Sequence, residues 1–413
     1  MNALIRRVLA WAGLGVAAIL LSACGGGGGS GDGGGSGGSG TGPGTLSVSL
    51  TDAPACGYDA VNVTVSKVRV HQSASAGDSE GGWSEISLNP ARKINLLDLA
   101  NGVLFELGQT ALPSGSYQQI RLVLVDNATT PFANSVVPTG GVETELDTPS
   151  AQQSGLKLKT HFIVPAGQTV EIVLDFDACR SIVRRGNSGK FNLKPVIAVV
   201  PIVTAGSISG YVAAPGGSAS PDIKVSAQKD GVVIKETIVA SGAQFRLWPI
   251  AADTYDVVFT AAGRTTRVIT GVPATIGGDT VVSASGLPIV LPAAATSGTV
   301  TGTVTNALTL APVAASVRAM QAISATAAVE VASTVADGDT GGYSMLLPDN
   351  AIEVALSPNP WPTLPTLPTF NFSAVGNPGE YTIEASATGY LSSTSPVVAI
   401  PASNVDIALI PAP

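Results

Sequence analysis

The stretch Leu46-Ser47-Val48-Ser49-Leu50, ended by Asp52-Ala53-Pro54, decides the fold class. Apolar and polar residues alternate with period two. An extended chain then carries one apolar and one polar face, the pattern of a half-buried β-strand. The same alternation recurs at Val61, Val63 and Val65, and again over residues 120–125 and 156–164. In residues 170–176 it sets Val170, Ile172, Leu174 and Phe176 on one face and Glu171, Val173 and Asp175 on the other. After Val65 the apolar register moves to Val68 and Val70, which predicts a bulge near Ser66. Residues 193–203 read as the closing strand, and only residues 94–107 read as a short helix.

Composition agrees with an all-β protein. Charged residues make up 12% of the 413 residues, about half the usual share. Turn formers are abundant, with 48 Gly and 28 Pro, and β-branched residues dominate the rest. The expected architecture is a series of tandem antiparallel β-sandwich domains. The net charge is −8, with no basic stripe, so no nucleic-acid partner is expected.

In the first unit, residues 45–203, the alternating runs occur in a recognisable order. Leu46 to Pro54 is followed by Val61-Asn62-Val63-Thr64-Val65, Leu96-Leu97-Asp98-Leu99 and Ser114-Gly115-Ser116-Tyr117. Leu174-Asp175-Phe176-Asp177, Ser181-Ile182-Val183 and Lys194-Pro195-Val196 come last. This order resembles a family of bacterial lipoprotein domains known as domain-of-unknown-function family 4382. The resemblance implies a β-rich domain and brings no catalytic residues.

From Ser207 onward the chain repeats. Ser207-Ile208-Ser209-Gly210-Tyr211-Val212 parallels Thr299-Val300-Thr301-Gly302-Thr303-Val304, and Val225-Ser226-Ala227-Gln228 parallels Val317-Arg318-Ala319-Met320. Both pairs are offset by the same distance, the signature of an internal repeat. The offset then grows because the second copy carries a Pro-rich insertion at residues 358–368. Each copy resembles the carboxypeptidase regulatory-like, or transthyretin-like, β-sandwich. In the second copy Asp339, Gly342 and Tyr343 match that family's acid-turn-aromatic pattern, and in the first Ser241 stands where the acid would be. The resemblance implies non-catalytic modules at residues 204–293 and 294–413.

The N-terminus reads as an export signal. Arg6 and Arg7 precede the apolar residues 8–21, and Leu21-Ser22-Ala23-Cys24 ends the segment. The apolar run is shorter than the roughly 20 residues that a membrane span needs. Its ending resembles the lipobox of bacterial lipoproteins. That resemblance implies cleavage after residue 23, lipidation of Cys24 (palmitate or a similar acyl chain) and a membrane partner reached through the lipid. Gly25, in place of Asp, favours the outer membrane. Removal of residues 1–23 takes away two arginines and no acid, leaving a charge of −10. Residues 24–44 hold the cysteine and a Gly/Ser-rich linker, read as a flexible tether. The glycine patterns inside it lack a flanking strand and helix and carry no motif.

Cys56 and Cys179 remain. In an oxidising envelope compartment they read as a disulfide, against the alternative of two buried thiols.

Few residues invite chemistry. His71 and His161 lie in no zinc-type spacing. Asp175 and Asp177 share a strand face if the strand extends that far. With Asp52 or Asp59 they would supply oxygen ligands for calcium, the one cofactor considered; the alternative is that these acids cap turns. Trp83 and Trp361 fall in loop-like contexts and are the candidate stacking residues for a surface glycan, whereas Trp248 and Tyr255 read as core. The expected role is non-catalytic: structure or binding at the cell envelope, with a glycan or an envelope protein as partner. The rival readings are a calcium-dependent or glycan-binding lipoprotein, and an enzyme with its site in residues 45–203.

Overall fold

The computed structural model describes residues 42–52, 57–149, 154–213, 223–240 and 242–413. The signal segment, Cys24, most of the linker and Cys56 lie outside the described residues. The described chain is almost entirely β, and residues 42–413 fall within one compact unit. No helix among the described residues is long and apolar enough to cross a membrane.

The first unit is a sandwich of a four-stranded and an eight-stranded sheet. Leu46, Val48 and Leu50 of strand Gly44–Asp52 meet Val61, Val63 and Val65 of strand Tyr58–His71 in one core, all fully buried. The register of Tyr58–His71 slips between Val65 and Lys67 against both neighbours, and the Ser66 hydroxyl donates to Val123 O at 3.1 Å. This is the bulge that the sequence pattern required. Only Leu96–Leu99 is helical in the region read as a short helix, as a single 3₁₀ turn capped by the Asn95 side chain.

Two pairings in the first unit depart from the antiparallel expectation, the shorter being Lys190–Leu193 parallel to Thr144–Asp147 over two residue pairs. Gly44–Asp52 runs parallel to Thr169–Phe176 over eight residue pairs. A parallel neighbour requires a long connection, and more than a hundred residues intervene here.

The next two modules share a strand order. In each, the opening strand (Ala205–Ala213, Ser297–Asn306) pairs antiparallel with the fourth (Gln244–Ala251, Gly342–Pro348) and parallel with a late one. The second strand (Lys224–Lys229, Ser316–Ala322) lies between the third and the fifth. Each module has an apolar core, and that of the last takes in Val258 and Val268 from the middle module.

Two details differ from the pattern read in the sequence. The acid that closes the turn before Tyr343 is Asp337, not Asp339. Its Oδ1 accepts from the backbone N–H of Asp339 (3.0 Å) and Thr340 (2.9 Å), and Gly341 then turns at a φ of +71°. An Asx turn needs its acceptor at the first position, which Asp337 occupies. The Pro-rich insertion, moreover, is built onto the neighbouring module. Strands Ile352–Leu356 and Ser373–Val375 flank it, and the former runs parallel to Arg267–Ala274, extending the middle module's sheet to six strands.

Truncating Leu50 to alanine removes a fully buried side chain from the first core and should cost about 2–5 kcal/mol in urea unfolding. Ile163→Ala, at a position 61% exposed, should stay within about 0.5 kcal/mol. Equal costs at the two sites would contradict the placement of the core.

Candidate functional site at the three-way junction

Strand Thr169–Phe176 begins as a half-buried strand and ends buried on both faces: Val173 and Asp175, on the side expected to face solvent, are 1% and 8% exposed. The cover over Asp175 comes from the middle module. Lys235, on strand Val232–Ile238, donates from Nζ to Asp175 Oδ1 at 2.6 Å, and both side chains are buried. An ammonium thus stands where a cation ligated by Asp175 would have been.

Asp177 does not continue the strand. It caps the short helix Ala178–Ser181, accepting from the Arg180 N–H at 2.9 Å. The backbone turns there, so Asp175 and Asp177 do not share a strand face. Arg180 then reaches the third module, where its Nη2 meets Glu330 Oε1 at 2.6 Å. Glu330 also faces Arg318 at 3.5 Å, and its backbone exchanges two hydrogen bonds of 2.8 Å with the Gln228 amide of the middle module. Arg318 additionally pairs with Glu384 and donates to Gly231 O. Residues of all three modules therefore meet in one polar knot.

Asp52 lies beside this knot. Its Oδ1 accepts from Ala178 N–H at 3.0 Å, and Oδ2 is buried without a hydrogen-bond partner. Burial raises its pKa well above the ordinary carboxylate value, and the nearby Asp177 and Asp175 push the same way. Burial also moves Asp177 up to about 6, despite Arg180. Burial thus favours the neutral form of Asp52. Asp59, exposed, accepts from Gly140 N–H at 3.1 Å. Among the described residues, no three His, Cys, Asp or Glu side chains gather as a metal cluster. Asp52, Asp59, Asp175 and Asp177 are engaged separately, as backbone acceptors or ion-pair partners.

A groove of about 560 Å³ opens beside the knot, with Asp59, Lys224, Ser226, Glu236, Thr266 and Glu330 in its wall. Lys224 faces Glu236 at 3.5 Å, and the buried Thr266 hydroxyl lacks a hydrogen-bond partner. His161 contacts Ser116 only at 3.4 Å on an exposed face. His71 is buried, with Nε2 3.0 Å from Gly81 O and Nδ1 accepting from Ser73 N–H.

The candidate stacking residues are occupied. The guanidinium carbons of Arg69 and Arg121 lie 4.5 and 4.4 Å from the Trp83 ring centroid, and His71 packs against the same side chain. Trp361 packs with Phe370 against the middle module's core. Tyr255 is core, while Trp248 is half-buried against Gly102 of the first unit.

The junction residues were not legible in advance. Lys235, Arg180 and Glu330 lie far apart in sequence and belong to no motif. The one available signal was the scarcity of charge, which makes each charge inside an apolar strand conspicuous.

Residues 43–195 match the family described as "Domain of unknown function (DUF4382)". No curated protein matches the chain. Among solved structures, a chain of the type II cohesin–X-dockerin complex of Acetivibrio cellulolyticus is 29% identical over 22% of this chain, with a TM-score of 0.19. The match spans 58% of that chain's own length. The Bacillus anthracis TIE protein is 12% identical over 89% of this chain and 57% of its own, with a TM-score of 0.18. A streptococcal ancillary pilin is 8% identical over 89% and 99%, with a TM-score of 0.18. At these scores the likenesses carry no argument about function.

Lys235→Ala leaves Asp175 buried and unpaired, at an expected cost of about 3–5 kcal/mol. Replacing the pair by Lys235→Met with Asp175→Leu should recover most of it, since an apolar pair avoids desolvating two charges. Failure of the double variant to regain stability in thermal unfolding would contradict the pairing.

The Asp52 carboxyl predicts a pH dependence. A carboxyl whose folded pKa lies above its unfolded value stabilises the fold below the unfolded value and loses that contribution as pH rises through the folded one. Asp52→Asn keeps the acceptor for Ala178 and does not titrate. The two proteins should differ least near pH ~4, and the native one should lose stability relative to the variant as pH rises above that. Calorimetry across the range checks this; a pH-independent difference would contradict it.

Proposed function

We propose that the protein is a lipid-anchored component of the bacterial cell envelope with a non-catalytic structural or binding role. The observation that carries this reading is the use made of its buried charge. Asp175, Lys235, Arg180 and Glu330 are paired with one another across modules, so they join β units instead of confronting a substrate.

On this reading Cys24 carries the lipid, the Gly/Ser linker supplies reach, and Gly25 directs the protein to the outer membrane. The unit at residues 45–203 is the lipoprotein domain, and residues 204–293 and 294–413 are regulatory-like spacer modules. Cys56 and Cys179 form a disulfide. Cys179, beside the Asp177 cap at the junction, carries no free thiol, which supports the bridge. On the same reading a bound partner would occupy the groove beside the knot.

Cys24→Ala is expected to move the protein from the membrane fraction to the soluble periplasmic fraction of cells. Retention of the variant in membranes would refute the anchor. Alkylation of the unfolded native protein should find neither Cys56 nor Cys179 reactive until a reductant is added.

A further inference from the structure

We infer that the open corner of the first sandwich is the face that lies against the lipid bilayer. The corner lies between strand Leu156–Val164, which ends the eight-stranded sheet, and strand Ile197–Pro201, which ends the four-stranded sheet. The sandwich is not closed there. A groove of about 470 Å³ remains, with His161, Ile163, Pro165, Val170, Ile202 and Val203 in its wall.

The residues at its mouth are unusual for their positions. The outward face of Leu156–Val164 reads Lys157, Lys159, His161, Ile163, polar until its last member. Ile163 is 61% exposed. Across the groove, the 3₁₀ turn Ile202–Thr204 buries none of its residues, and Val203 is 74% exposed. Two large aliphatic side chains thus stand in solvent on either side of an apolar cleft. A rim of Gln168, Thr169, Glu171 and Thr204 surrounds them. Apolar wedges inside a polar rim suit a bilayer surface, where acyl chains meet headgroups.

What commits the corner to a bilayer is the point at which the chain enters the fold. Pro43 O accepts from Gly167 N–H at 3.1 Å, and Thr45 N–H donates to Gln168 O at 2.8 Å. The turn at residues 165–168 thus both lines the groove and pairs with the first described residues. The inference rests on the proposed anchor at Cys24. Read as Gly/Ser coil, the eighteen residues from there to Gly42 have an r.m.s. span of about 25 Å. A lipid held at that distance makes bilayer contact at this corner an intramolecular event, so a small apolar footprint suffices.

The test uses the full lipidated protein in phosphatidylcholine/phosphatidylglycerol vesicles. One environment-sensitive fluorophore is attached at Val203→Cys. Another is attached at Leu356→Cys, 79% exposed on a strand of another sheet. Labelled native protein is the blank. The expected result is blue-shifted emission and quenching by spin-labelled lipid at position 203 and neither at 356. Flotation with the vesicles is scored separately. If the protein does not float, the anchor and this inference both fail. If it floats and the fluorophore at 203 is not quenched, the inference alone is overturned. A shift at 203 that depends on protein concentration and not on vesicles assigns the corner to a second copy of the chain and overturns it too.

Discussion

The described structure depends on buried charges from separate modules finding one another. Lys235 or Asp175 buried without the other would be costly, as would Glu330 without Arg180 and Arg318. Their pairing satisfies the charges only while the modules remain in contact. Apolar contacts could hold β-sandwiches together in several registers. Ion pairs, and hydrogen bonds such as those of the Gln228 amide to both the N–H and the C=O of Glu330, accept far fewer. We take the knot as a device that fixes one arrangement, at some expense in stability.

The modules also exchange structure away from the knot. Residues 352–375 leave the third module to complete the second module's sheet, and Glu353 on that segment pairs with Arg267 of the strand it joins. Asn101, in a left-handed conformation, reaches from the first unit to accept from Arg246 N–H and to exchange hydrogen bonds with Thr237. Each contact closes an edge or a turn that an isolated module would leave to water. The corner at Ile163 and Val203 is left uncovered.

Much of the first unit was readable residue by residue. The alternation at Leu46–Leu50 and Val61–Val65, the bulge at Ser66 and the strand Leu156–Val164 follow from side-chain period alone, because one face of each strand meets a core built within the same unit. Asp177 was misplaced for a local reason. Its carboxylate caps a helix of four residues, too short to leave any periodic trace. The outward face of Thr169–Phe176 was misread for a distant one. Asp175 looks solvent-exposed by alternation, and nothing near it announces that Lys235, sixty positions later, will cover it.

By itself the sequence determined the all-β class, the internal repeat, the candidate anchor at Cys24 and the shortage of catalytic groups. Those properties live in composition, period and contiguous motifs. Only the tertiary structure decided which charges are buried and who their partners are, that the Pro-rich insertion serves its neighbour, that Trp83 and Trp361 are occupied, and which corner stays open. The physical reason is that burial and ion pairing belong to surfaces brought together from distant parts of the chain, and local patterning specifies an element's faces without specifying what comes to cover them.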